Sequence, residues 1–338
     1  MAGARASLGG MTTTVFTPLG SAGPGRFRVA VCAATIAACV PYLVLKIAWL
    51  SGSTVGWNDA AAARGSALAV GNAVTMGMDA VAVGAALAFT FAWGRRLPAW
   101  LVVVPIWFGT GLLAPIVLGV PLGTVLQALI DGTAPVRGSA GGLQGWVYAM
   151  VYGGFTCQGL GLLTAFVPYA RLRWADVFAL RTADVPRGAT HAVQAFLAHA
   201  AAVPTLAYAA LQLVWACGGT AGQPAGEGMN ITQRTVAGAY GLLALAGAAG
   251  LLAIVHRRGG RLYVPVLAAW TGAGATFAWS LYMLIITVGT PDFLDARSTP
   301  LTGLALLCGV LGGLVTGLAG AFFLAERQSA RPTASSTP

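Results

Sequence analysis

The sequence predicts an all-α membrane protein of about eight transmembrane helices, built as a parallel four-plus-four internal duplication with both termini on the inner side. Three observations predict it. Hydrophobic residues make up 57% of the chain and charged residues only 8%, with a mean hydropathy of +0.77, whereas a soluble domain carries roughly 25% charged residues. The apolar residues fall into eight runs close to the ~20 residues that a spanning helix needs. A pattern in the first run returns 166 residues later in the fifth.

In chain order the runs are Arg28 to Leu50, Ala67 to Trp93, Ala99 to Leu122, Gly145 to Ala170, His191 to Cys217, Val236 to His256, Leu262 to Val288 and Leu301 to Ala325. Basic residues in short loops stay on the cytoplasmic side, and here they alternate sharply. With the N-terminus inside, the inner segments hold fourteen arginines: Arg5, Arg26, Arg28, Arg95, Arg96, Arg171, Arg173, Arg181, Arg187, Arg257, Arg258, Arg261, Arg327 and Arg331. The outer loops hold four, Arg64, Arg137, Arg234 and Arg297. The net charge of +10 is therefore a topology signal. A nucleic-acid partner would need these charges gathered on one soluble face with aromatics between them, so that class is excluded.

The chain divides into a disordered cytoplasmic N-terminal tail (1–27), a first four-helix half (28–170), a cytoplasmic linker (171–190), a second four-helix half (191–325) and a cytoplasmic C-terminal tail (326–338). The first apolar run is of full span length, which argues against a cleaved signal peptide. The linker mixes arginines with Leu172, Trp174, Val177, Phe178 and Leu180, a composition that suits an amphipathic helix lying along the inner leaflet. Of the five cysteines, Cys32, Cys39, Cys157 and Cys308 lie within spans and Cys217 at a helix end. None forms a C-x-x-C pair, so neither a disulfide framework nor a metal site is expected. No cofactor is expected either: haem ligation would need histidines from facing helices, and His191 and His256 lie near the inner boundary.

The duplication rests on "YLVLKIAWLSGSTVG" (Tyr42 to Gly56) and "YAALQLVWACGGTAG" (Tyr208 to Gly222). They share Tyr42 with Tyr208, Leu45 with Leu211, Trp49 with Trp215, Gly52 with Gly218, Thr54 with Thr220 and Gly56 with Gly222. The fourth span carries Gly153, Cys157, Gly161 and Ala165, and the eighth carries Gly309, Gly313, Gly317 and Ala321. Small residues at that spacing line one helix face and let another helix approach. A further echo pairs "WFGTG" at Trp107 with "WTGAG" at Trp270. Four spans per half is an even number, so the halves enter the membrane in the same direction, and repeats of this kind commonly bind substrate where they meet.

Charge inside the spans marks the candidate site. Lys46, the only lysine, falls opposite Gln212 in the repeat; Tyr42, Lys46 and Trp49 share a helix face, as do Tyr208, Gln212 and Trp215. Lys46 is shallow enough to snorkel outward and equally able to turn inward. Asp79 lies near mid-span, where a carboxylate must be paired, protonated or facing water. Lys46 is its natural partner, although the helical rise puts the two about 10 Å apart in depth. Leu245 stands at the equivalent position of the second half. Asn72, Gln127, Gln158 and His199 read as helix-to-helix hydrogen-bonding groups. "NIT" at Asn230 matches a glycosylation acceptor only by pattern. Familiar catalytic motifs are missing.

The "PYLVLKIAWLSG" segment resembles a first-helix signature, P-Y-x-x-L-K-x-x-W-x-x-G, of uncharacterised multi-span integral membrane proteins of actinobacteria. The resemblance covers one helix of eight and implies a bacterial cytoplasmic membrane, with no activity attached. The expectation is then a permease-like or small-ligand-binding multi-pass protein. Its site would lie between the halves, lined by Tyr42, Lys46, Trp49, Asp79, Tyr208, Gln212 and Trp215. The alternative is a non-catalytic membrane partner or sensor that binds another membrane protein through its small-residue faces. The partners expected are the lipid bilayer and either an unknown small molecule or a membrane protein.

Overall fold

A computed structural model of the chain describes residues 25–59, 66–132, 143–223, 228–289 and 299–329. Among them are nine α-helices and no strand: α1 (Arg26–Leu50), α2 (Ser66–Thr90), α3 (Ala99–Asp131), α4 (Gly145–Arg173), a short α5 (Ala175–Ala179), α6 (His191–Ala216), α7 (Ile231–Val255), α8 (Tyr263–Gly289) and α9 (Pro300–Ser329). All but α5 are long and apolar enough to cross a membrane. Large apolar side chains such as Phe196 and Val203, both 71% exposed, stand on their outer faces. The chain is a multi-pass membrane protein with a lipid-facing exterior. Most of both tails, and the loop residues Arg64, Arg137 and Arg297, lie outside the described residues.

Helix ends depart from the apolar runs for local reasons. The second run breaks at Phe91, whose extended backbone leads into a 3-10 turn at Ala92–Arg96. A Cβ on Gly94 in that turn would overlap the carbonyl of Ala88, so the reversal requires glycine. α3 continues past its apolar run to Asp131 and ends at Gly132, a left-handed C-cap at φ +61. α7 starts at Ile231 because Asn230 and Gln233 form a capping box: the Asn230 side chain accepts the Gln233 N–H, and the Gln233 side chain accepts the Asn230 N–H.

α6, α7, α8 and α9 pack as a closed ring of four, each mainly against two neighbours, whereas in the first group α1 packs on α2 and α4, α3 packs on α4, and α2 leans more on α4 than on α3. α3 joins the two groups by packing on α7 and α8. It crosses α8 where Gly111 meets Gly274: a Cβ on Gly111 would overlap the Gly274 carbonyl, and one on Gly274 would stand 2.8 Å from the Trp107 carbonyl. Beside the crossing, Trp107 Nε1 donates to the Trp270 carbonyl at 3.1 Å and its ring stacks on Phe277. The small-residue row of α9 is used internally, Gly309 against Ser280 and Tyr208, Gly313 against Phe277, and Gly317 against Trp107. In the corresponding row of α4 Gly161 meets Thr35 closely, while Gly153 faces open space and Cys157 is exposed.

The linker does not form an amphipathic helix along a membrane face. Its α-helical residues are only the last three of α4 and the five of α5, and Val177 and Val185 are buried against Leu251, Val255, Leu262 and Phe323. Backbone bonds tie it to the α7–α8 turn, Leu262 N–H to Leu180 O at 2.9 Å and Thr182 N–H to Gly260 O at 2.9 Å. Its polar ends are held as well: Arg257 donates to Pro186 O, Arg327 to Asp176, and Glu326 accepts the Thr190 N–H and the Gln194 amide. Of the apolar residues that suggested lipid, Trp174, Val177, Phe178 and Leu180 instead cover the arginine-rich end of α6 to α9, while Leu172 stays exposed.

Candidate functional site

α1 and α6 end in the same way. Gly52 and Gly218 both stand at φ +91, a left-handed value that suits glycine. Around them Ser53 N–H bonds Ala48 O at 2.9 Å and Gly219 N–H bonds Val214 O at 2.8 Å. Trp49 Nε1 then donates to Val55 O at 2.7 Å, and Trp215 Nε1 to Ala221 O at 2.7 Å. Gly56 and Gly222 follow at φ +80 and +75. The shared Trp and Gly-x-Thr-x-Gly residues therefore build a helix stop and fasten the loop after it. The indole N–H groups of Trp49 and Trp215 are spent on these loops.

Lys46 does not reach outward. Its ammonium is wholly buried, 2.7 Å from Asp79 Oδ2, and 3.8 Å from the centre of the Tyr42 ring. The depth mismatch has a simple resolution. At the other end of the same helix pair Arg28 donates to the Phe89 carbonyl. From Arg28 to Lys46 the rise is about 27 Å, and from Phe89 back to Asp79 about 15 Å. Two long side chains leaning towards each other take up the difference, and Lys46 leans the way helical side chains tilt, towards its own N-terminus. Tyr42, which covers the ammonium, lies beside Thr75 of α2 and packs edge-on against Phe155 of α4 at 5.4 Å.

The second stripe is neutral. Gln212 donates to the Tyr208 hydroxyl at 2.8 Å, and Tyr208 is 1% exposed, packed with Ala209, Tyr240, Ala244 and Ala275. Ser280 Oγ stands near this hydroxyl but outside hydrogen-bond geometry, and Thr205 Oγ1 and Tyr240 Oη nearby are buried without a partner. Tyr42, Lys46 and Asp79 thus gather inside the α1–α4 group, and Tyr208 with Gln212 inside the α6–α9 group.

Tyrosines that the sequence did not single out lie between them. Tyr42 lies near Tyr282 of α8 and Tyr152 of α4, and Tyr240 of α7 lies near both of these and Tyr208. Tyr152 stacks on Tyr148 and keeps 37% of its surface exposed. Phenol groups from α1, α4, α7 and α8 therefore share one region, of which Tyr42 is the member that covers Lys46. A lone Tyr in an apolar helix carries no periodic signal, so only the packing of the two groups reveals this set.

The softer polar positions have plain roles. Gln127 accepts from Thr232 N–H and Oγ1, joining α3 to the start of α7, and Asn72 and Gln158 are buried. His199 is exposed and faces His256. Among the described residues no three His, Cys, Asp or Glu side chains gather as for a metal ion. A cavity of about 390 Å³ lies elsewhere, at the arginine-rich end between α3, α8 and α9, with Trp100, Trp107 and Trp270 in a mainly apolar wall. It touches none of the charged spans' residues. No protein-family model, curated protein or solved structure matches the chain.

Proposed function

We propose that the chain is a permease-like or small-ligand-binding protein of a bacterial cytoplasmic membrane, with two parallel four-helix repeats and both termini inside. Its site is the tyrosine-lined region where α1, α2 and α4 approach α7 and α8, with the Lys46–Asp79 pair at its floor. The observation that carries this reading is the asymmetry of the two stripes. A buried ion pair is seldom a stabilising choice, because desolvation offsets the Coulomb attraction. The same fold manages without one at Gln212 and Leu245, so the charges in the first half have a use other than packing. The matching helix stops and the matched glycine crossing of α3 on α8 support the duplication. The arginine distribution supports the orientation.

A thermal-shift ligand screen on detergent-purified protein tests it, with wild type beside Lys46→Gln. Ligand that binds only the folded state stabilises it by RT ln(1 + [L]/Kd). A compound that raises the melting temperature of wild type and not of Lys46→Gln supports the site. Equal shifts in both proteins, or none across the screen, would sink it and favour the protein-partner reading, for which the open Gly153 and Cys157 face of α4 is the place to look.

A further inference from the structure

The chain has three histidines, and two of them meet on the outer surface of the α6–α7 pair. His199 Nε2 and His256 Nε2 are 3.3 Å apart, their ring centroids are 5.2 Å apart and the rings are inclined at 77°. Both residues are exposed; His199 lies in α6 and His256 caps the C-terminus of α7, and these two helices are extensively packed together. A head-on N–H···N bond at this nitrogen separation would place the centroids about 5.6 Å apart, and it would be longer than the 2.7–3.2 Å range typical of N–H donors. Two imidazoles on one tetrahedral ion, each at about 2.0–2.1 Å, stand about 3.3 Å apart at nitrogen and about 5.2 Å apart at their centroids. The observed pair fits the second geometry.

The tautomer fits as well. His199 Nδ1 lies 2.7 Å from the carbonyl of Ala195 one turn back. A carbonyl can only accept, so Nδ1 carries the proton and Nε2 presents its lone pair, the arrangement by which backbone carbonyls orient metal-bound histidines. The neighbouring Arg257 guanidinium is turned away, donating to Ile254 O and Pro186 O. We propose that His199 and His256 form a two-histidine site for a divalent first-row transition ion, which clasps α6 to α7 at the arginine-rich end. No third protein ligand joins them among the described residues, so water completes the coordination and the site is an exchangeable one. It is separate from the Lys46 region and stands whether or not that reading holds.

The test uses the full chain freed of any histidine tag, in detergent, with Zn²⁺ or Cu²⁺ as the probe. Zn²⁺ raises the melting temperature of wild type, while His199→Ala and His256→Ala each bind at least tenfold more weakly and His191→Ala behaves as wild type. Exposed positions make these variants foldable, and equal melting without metal checks that. The Cu²⁺ paramagnetic resonance spectrum shows coupling to two nitrogens in wild type and to fewer in either variant. Binding is lost on acidification, because a protonated imidazole is no ligand. Absence of a Zn²⁺ shift up to 1 mM, or equal binding by wild type and both variants, overturns the proposal.

Discussion

Replacing Lys46 with Gln and Asp79 with Leu, singly and together, writes the neutral Gln212 and Leu245 arrangement into α1 and α2. At the observed 2.7 Å the pair's Coulomb attraction is about 6 kcal/mol at an effective dielectric of 20. Desolvating two ions removes most of that, so the pair is near neutral as a whole, yet breaking it strands a charge at a cost of about 3–5 kcal/mol. Asp79→Leu leaves the ammonium with only the Tyr42 ring, a contact worth about 2 kcal/mol when desolvated, and should lose about 3 kcal/mol. Lys46→Gln leaves a carboxylate that can accept from the new amide, and should lose somewhat less. The double variant should return to within about 1 kcal/mol of wild type, since neither residue is left stranded. Denaturant unfolding in mixed micelles, followed by tryptophan fluorescence, measures all four corners of the cycle. Additive losses would refute the reasoning, because they would mean that the two charges do not depend on each other.

Three other experiments have sharp outcomes. Gly111→Val places a side chain against the α8 backbone and should abolish the monodisperse species seen by size-exclusion chromatography. By contrast Gly77→Ala, with nothing within 4 Å of the added carbon, should hold or gain up to about 1 kcal/mol of stability in the same unfolding assay. A membrane-impermeant maleimide on intact cells should label exposed Cys217 and lose that label in Cys217→Ser; labelling only in inverted vesicles would reverse the proposed orientation.

The sequence made the eight long helices legible because each needs only a run of apolar residues, and five of them both begin and end within three residues of those runs. The exceptions are instructive. The end of α3 lies nine residues beyond Leu122, where a left-handed Gly132 stops a helix that composition alone would have stopped earlier. The start of α7 lies five residues before its apolar run because Asn230 with Gln233 three residues on is a capping signal, which hydropathy does not register. The linker was misjudged because amphipathic residues look the same whether they face lipid or protein. At the site, Lys46 and Asp79 were visible as intramembrane charges, and their contact became certain only when the offset between α1 and α2 was known. Trp49 and Trp215 were visible through repetition, but repetition here marks the shared helix stop. Tyr152 and Tyr282 gave no signal, since they meet Tyr42 only across separate helices.

The crossing of α3 on α8 has a mechanical consequence. Where two helices touch through interlocking side chains, turning one against the other means lifting ridges out of grooves, and the packed core resists in discrete steps. At Gly111 and Gly274 there are no side chains to interlock; one backbone rests on the other. Such a contact opposes separation, through the flanking Trp107 bond and ring stack, but offers little resistance to swivelling. It is a bearing set at the centre of the molecule, and the parts of the two helix groups that would travel furthest around it are those most distant from these two glycines.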